Sequence, residues 1–348
     1  MTDVIGYPCC SILISMTEKI LNPELNQMSA TAIAHPNIAF IKYWGNRDEG
    51  LHLPLNGSLS MCLDGLTSTT TVRFDPSLKA DELRLDSLPA DEISLARVSS
   101  FLNNIRGLAG KNLYAQVESV NNFPAGAGIA SSASGFAALA LAASAAIGLS
   151  LSEQELSRLA RLGSGSACRS IPGGFVAWLP GSTDLDSYAV SIAPPEHWQL
   201  FDLVTILDRG HKSTGSASGM ALAHTSPRLG QRLAELPARL AACKQALLAC
   251  DFEAFAELVE ADSQSMHAVM QTSTPALKYT LPLTELILAS VTSWRKQGYA
   301  ACATVDAGPN VHVLCLPEAK SFMLQALHAI PGVLEVLVSQ PGGPARLV

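Results

Sequence analysis

Asn121 to Gly135 reads NNFPAGAGIASSASG, with Gly126 and Gly128 followed by Ser131, Ser132 and Ser134 at the mouth of an alanine-rich run. Small residues let a backbone approach a phosphate closely. Free amides at a helix start, aided by the helix dipole, then hold the anion. Serine hydroxyls add bonds to phosphate or to a magnesium ion. The segment is not a Walker A loop, because no Gly-Lys-Ser/Thr follows. It is not a dinucleotide fingerprint either, because the third glycine is displaced and no strand-end acid follows at the expected distance. A tight strand-to-helix turn would look the same on the glycines alone; the three serines favour phosphate.

Two further positions suit proton transfer and anion holding. Asp306 lies in DAGPN between two apolar runs. Such a turn aims a carboxylate at a cleft from a rigid frame, although an aspartate there also commonly bonds its own backbone. Arg169 closes SGSACR, and the small residues from Gly163 to Ala167 give it access to a cleft that a lone surface arginine lacks. Its planar fork suits a carboxylate. Lys42 and Tyr43 end an apolar run, either as a solvated edge pair or as the border of a cleft.

The elements that position these residues mix strand and helix. Ala32–Tyr43, Leu59–Leu63, Ser68–Phe74 and Tyr114–Val120 read as strands, the third rich in β-branched residues. Glu92–Leu108 has helical spacing, a helix follows the glycine loop, and Ser152 with Glu155 forms a capping-box pattern ahead of another. Gly173–Leu179 and Gln199–Leu207 are predicted strands. Helices are predicted over 228–248, bent at Pro237, and over 251–270 with Asp251 as N-cap. A helix at 281–297, a strand-turn-strand around Asp306, a helix at 317–329 and a strand at 332–339 close the chain. Pro180-Gly181 and Pro194-Pro195 place a boundary near 185–195. The class is α+β or α/β with two domains.

Composition narrows the partners. With 348 residues, 48% apolar and 15% charged, the chain has ample core, and its net charge of −7 argues against nucleic acid or an anionic membrane as partner. The 8 cysteines are scattered with no C-x-x-C pair, which reads as reduced thiols in a cytoplasmic protein. No cluster of histidines and cysteines suggests a metal site. Residues 1–27 read as an extension; they are apolar but lack a basic leader, and Met16 and Met28 are alternative starts. Phe136–Leu149 is too short for a membrane span.

NIAFIKYWGNRD (37–48), LPLNGSLS (53–60), the 121–139 segment, ARLGSGSACRSIPGGFVAW (160–178) and DAGPN (306–310) together resemble the mevalonate diphosphate decarboxylase family of the GHMP kinase superfamily. The motifs stand in the family's order. The resemblance implies a two-domain α+β GHMP kinase-like fold with the site in the cleft between domains. Residues 28–190 would be the ATP-binding domain and 191–348 the C-terminal one. It implies ATP with Mg2+, a phosphorylated mevalonate as small-molecule substrate, and a homodimer. Asp306, Arg169 and Lys42 are then catalytic: Asp306 deprotonates the tertiary 3-hydroxyl for attack on the γ-phosphate, and Arg169 holds the substrate carboxylate. Tyr43, Trp44, Gly45, Asn46, Ser164, Gly165, Ser166, Ala167 and Cys168 join Arg169 in binding substrate. Pro124, Gly126, Gly128, Ala130, Ser131 and Ser132 hold the nucleotide, with Ser131 contacting either its phosphates or the substrate hydroxyl. Ser131 is the one protein group offered to the metal, and Asn37 is a weaker carry-over.

The chain departs from the family at Asn46, where a lysine is usual. Losing that cation removes a charge-assisted contact of about 1.5–3 kcal/mol. The 212–227 stretch also differs, though His211 and Lys212 can compensate. These changes open an alternative, a substrate with one 5-phosphate yielding isopentenyl phosphate. A GHMP kinase without decarboxylation fits less well, because it needs no carboxylate holder at Arg169.

Overall fold

The protein is described by a computed structural model over residues 28–124, 131–210 and 214–348. The predicted strand over 32–43 is two strands in two different sheets, β1 (Ser29–Ala34) and β2 (Asn37–Ile41). Pro36 separates them: it has no N–H to give a ladder, and its carbonyl instead accepts from Leu63 N at 2.9 Å.

The first sheet places β1 beside β6 (Ser68–Asp75) and β9 (Tyr114–Asn121), with β7 (Glu82–Leu85) and β8 (Leu88–Pro89) at one edge. The pairs are antiparallel except β7 with β9. Along β6 every second residue is buried, the alternation of a sheet with one covered face. The cover is α2 (Ser131–Ala146), whose alanines and Phe136, Leu139 and Ile147 beyond its end share a core with Val72, Phe74 and Val117. A helix apolar all round is a buried helix, and its alanines let it lie close on the sheet. α1 (Glu92–Ala109) and α3 (Glu153–Gly163) flank it. Ser152 and Glu155 cap α3 reciprocally, as predicted.

The second sheet runs β11 (Tyr188–Ala193), β10 (Phe175–Leu179), β5 (Ser58–Cys62), β2. All five residues of β2 are buried, and β3 (Asn46–Asp48) and β4 (Leu53–Pro54) pair as a separate two-stranded ribbon after it. Ile38 and Phe40 belong to a core shared with α5 (Leu229–Leu248), α6 (Phe252–Thr272) and the third sheet. That sheet, β13 (Ala301–Thr304), β14 (Val311–Cys315), β12 (Phe201–Ile206) and β15 (Glu335–Ser339), is antiparallel and packs against α7 (Pro282–Lys296) and α8 (Pro317–His328). Asp251 caps α6, accepting from Ala254 N at 3.2 Å. α5 continues through Pro237 as one helix. The chain then returns: Gln340 and Gly342 bond Asp64, Cys62 and Gly174, and β16 (Arg346–Leu347) pairs with β1. Among the described residues, no helix is long and apolar enough to cross a membrane.

Candidate active site

Three structural ends meet at one cavity: the C-terminal end of β2, the start of α2, and the turn between β13 and β14. A fourth piece, the 3-10 turn Gly165–Ser170 after α3, closes one side. The cavity encloses about 330 Å3, and its wall includes Lys42, Tyr43, Trp44, Ser131, Ser132, Ser164, Gly165, Ser166, Arg169 and Asp306.

Lys42 is the first residue past β2, so its backbone leaves the ladder. Its side chain is 1% exposed and its Nζ donates to Asp306 Oδ1 at 2.5 Å, while Asp306 is 24% exposed. Of the two readings of DAGPN, the carboxylate facing a cleft is the one the geometry fits. Burial works to raise the Asp306 pKa, but Lys42, His312 and Arg169 outweigh it and hold the carboxyl below its ordinary value. Burial also dominates at Lys42 and leaves its ammonium below the ordinary lysine value despite Asp306. The pair is therefore an ionised carboxylate beside a desolvated lysine ammonium, not a solvated surface pair.

Arg169 is 3% exposed. Its Nε donates to Asn37 Oδ1 at 3.0 Å and its Nη1 to Ser58 Oγ at 2.8 Å. Asn37 in turn donates to Ser170 Oγ at 2.7 Å and Ser166 O at 3.3 Å. With Nε and Nη1 engaged, Nη2 has no hydrogen-bond partner among the described residues and is the donor open to a ligand, rather than the whole fork. Asn37 thus acts through Arg169 and the turn. Tyr43 stacks edge-on against Trp178 and donates to Asn46 Oδ1 at 2.5 Å. The tyrosine also explains Gly165: a Cβ there would lie 2.5 Å from its hydroxyl. Gly45 has φ +99°, the left-handed region that lets the chain turn directly after Trp44.

Ser131 and Ser132 open α2, and Ser132 Oγ lies 3.3 Å from Ser164 Oγ, joining the helix start to the 3-10 turn. Gly126, Gly128 and Ala130 fall outside the described residues, as do His211 and Lys212. Pro124, Gly45, Asn46, Ala167 and Cys168 do not line the cavity. Asn46 is occupied by Tyr43 and by Glu49, to which it donates at 2.8 Å. Cys168 is fully buried, and burial pushes its thiol up to about 12; it is packing, not a nucleophile.

The sequence reading missed His52, Arg97, Met220 and Met266 in the wall. Arg97 on α1 crosses to the site, donating to Gly163 O at 2.8 Å over the Phe136 ring. A single arginine in an ordinary helical pattern carries no signal of that reach. His52 sits at φ 47°, and burial followed by the nearby Arg97 charge lowers its pKa. Lys42, Arg97 and Arg169 against one carboxylate make an anion-seeking cavity in a chain of net charge −7. Among the described residues no three His, Cys, Asp or Glu side chains group as a metal site. The oxygen donors facing the cavity, Asp306 and the serine hydroxyls, suit a hard cation that arrives with its own phosphate ligands.

Residues 34–189 match the family model of the diphosphomevalonate decarboxylase-like N-terminal domain, and residues 202–337 that of the mevalonate 5-diphosphate decarboxylase C-terminal domain. The chain is 41% identical over 306 residues to diphosphomevalonate decarboxylase of Ganoderma lucidum, covering 81% of this chain and 76% of that one. The crystal structure of mevalonate diphosphate decarboxylase from Staphylococcus aureus superposes with a TM-score of 0.88 at 36% identity, over 92% of this chain and 98% of that chain. A solved complex of MDDEF with MVAPP, AMPPCP and magnesium gives a TM-score of 0.86 at 38% identity, with the same coverage of both chains.

Proposed function

The chain belongs to the diphosphomevalonate decarboxylase family, and from that premise we infer that it converts (R)-5-diphosphomevalonate and ATP to isopentenyl diphosphate, ADP, phosphate and CO2. The observation that carries this reading is the Lys42–Asp306 pair facing Arg169 and the serines of α2 across one cavity.

Each residue type answers a need of the reaction. A tertiary alcohol is a poor leaving group and its phosphate ester a good one, so the site must first remove a proton. The Asp306 carboxylate, held ionised by Lys42, takes the 3-hydroxyl proton as that oxygen attacks the γ-phosphorus of ATP and ADP leaves. The C3–O bond then breaks with its electron pair on phosphate. The bond from C2 to the carboxylate carbon supplies the pair for the new double bond, and CO2 departs. Arg169 orients the carboxylate through Nη2, and the buried wall keeps water from the positive character at C3. Tyr43, Ser164 and Ser166 face the substrate phosphates, and Ser131 and Ser132 the nucleotide. Ser131 would be the protein hydroxyl offered to a Mg2+ carried by the nucleotide phosphates, and the metal would supply charge withdrawal from the transferred phosphoryl group. The relative solved with an ATP analogue and magnesium supports the same requirement.

One observation favours a second reading. Asn46 is neutral and tied to Tyr43 and Glu49, so it adds no cation for a second phosphate; a substrate with one 5-phosphate, giving isopentenyl phosphate, fits that lining. A coupled ADP assay on mevalonate, its 5-phosphate and its 5-diphosphate decides. The diphosphate is expected to give the highest kcat/KM; ADP from none of the three overturns the function.

The extent of the two family models supports a division into 28–190 and 191–348, with 1–27 as an extension. Buried reduced thiols support a cytoplasmic setting. The partner is a small phosphorylated molecule rather than nucleic acid or membrane, and the family supports a homodimer.

A further inference from the structure

Behind the site, on the side of Lys42 away from the cavity, lies a cluster of buried charge that the reaction does not use. Asp262 of α6 is fully buried. Its Oδ2 accepts from the Lys42 backbone N–H at 2.7 Å and from Arg232 Nη2 at 3.1 Å. Its Oδ1 accepts from Arg232 Nη1 at 3.0 Å and Arg239 Nη1 at 3.2 Å. Arg232 Nη2 also donates to the Lys42 carbonyl at 3.2 Å, and Asn56 Nδ2 donates to that carbonyl at 3.0 Å. Both polar groups of one peptide residue, freed where β2 ends, are thus held by side chains of α5, α6 and the loop before β5.

That arrangement is more than helix bracing needs. Two arginines on one carboxylate already join α5 to α6. The additional bonds converge on Lys42, the residue whose ammonium donates to Asp306. We propose that the Arg232–Asp262–Arg239 cluster is a positioning device for Lys42: it pins the lysine's backbone where the strand ends and sets a second buried carboxylate charge beside that residue. The charged and titratable groups around Lys42 are Asp306 from the β13–β14 turn, Asp262 and His267 from α6, Arg169 from the 3-10 turn, and Arg232 of α5 at its carbonyl. Burial is the strongest influence on its ammonium and disfavours the charge; Asp306 and then Asp262 oppose burial, and Arg169 adds to it. Asp262 has no exposed surface and does not itself line the cavity, so it reaches the site through the wall residue Lys42. Arg239, 15% exposed at its side chain, tempers the Asp262 charge from behind.

The kinetic arm of the test rests on the function proposed above; the titration arm does not. Protein carrying 13Cε-lysine is titrated by NMR, with the Lys42 signal identified by its loss in Lys42→Arg. Asp262→Asn keeps an oxygen for the Lys42 N–H but removes the charge. Lys42 in it is expected to lose its proton at lower pH than in the native protein. kcat is expected to fall about tenfold or more, with KM for ATP changing by less than about threefold. Arg239→Met is expected to move the Lys42 titration the other way, to higher pH, and it decides alone if Asp262→Asn does not fold. A Lys42 titration unchanged in the folded variants overturns the proposal, whatever happens to Tm, because bracing alone lowers Tm without moving that titration. If the native protein turns over none of the mevalonate phosphates, the function fails while the titration still gives its answer.

Discussion

Asp184 and Asp306 both sit against buried cations, but their neighbourhoods are built differently. Asp184 has both oxygens filled, Oδ2 by Arg158 and Oδ1 by Arg161, and its backbone carbonyl takes Arg158 Nε at 3.0 Å. Arg161 is fully buried and also donates to Ser187 O at 2.6 Å. Asp306 has one cationic partner, Lys42 on Oδ1, and its other oxygen has no partner among the described residues. Arginine does not release its proton in a protein, whereas a buried lysine does so readily. A carboxylate saturated by two guanidinium groups is a brace. One with a single lysine and an oxygen left over beside a cavity is placed to act as a reagent, the role proposed for Asp306. The difference in partner type and number, rather than burial, separates structure from chemistry here.

The contrast is broken most severely at Asp306. Asp306→Asn is expected to cut kcat by about 10²–10⁴, with ATP affinity by calorimetry kept within about threefold; near-native turnover would make Asp306 no more a reagent than Asp184. At the brace, Asp184→Asn leaves Arg158 and Arg161 without their counter-charge and should cost about 3 kcal/mol of stability. Chemical denaturation would show it, and turnover per folded molecule should stay native. Arg169→Gln comes next, with kcat/KM for the phosphorylated mevalonate reduced by about 10–150-fold, the loss of a contact worth about 1.5–3 kcal/mol. An unchanged value would remove Arg169 from the substrate.

The smallest effect is in pH dependence. The Asp306 pKa is lowered in the folded protein, so its stabilising contribution is present above the ordinary aspartate value and disappears as pH falls through the lower folded value. At saturating substrate, kcat should therefore stay level from pH 7 down to about 5. An acid limb centred near 6 would place a different group in the base's role.

Much of this site was legible because its parts are short and unusual in the sequence. DAGPN, SGSACR and the serine-rich helix start each mark a residue by its neighbours, and the structure brings Asp306, Arg169, Ser131 and Ser132 to one cavity. The strand break at Pro36 was missed because an apolar run on both sides of one proline looks continuous, and the two halves end in separate sheets. Arg97 was illegible for another reason: α1 gives it the pattern of a surface arginine, and only packing across Phe136 brings it to the site. Asp262 left no trace either. A helical aspartate becomes special only when the end of β2, 220 residues earlier in the chain, arrives against it.

The claim that one cavity both phosphorylates and decarboxylates is tested most directly by counting CO2 and ADP in the same reaction, with 5-diphosphomevalonate labelled at its carboxylate. One CO2 released for each ADP is the expected result. ADP accumulating without CO2 would contradict it, leaving a kinase whose Arg169 holds no departing carboxylate.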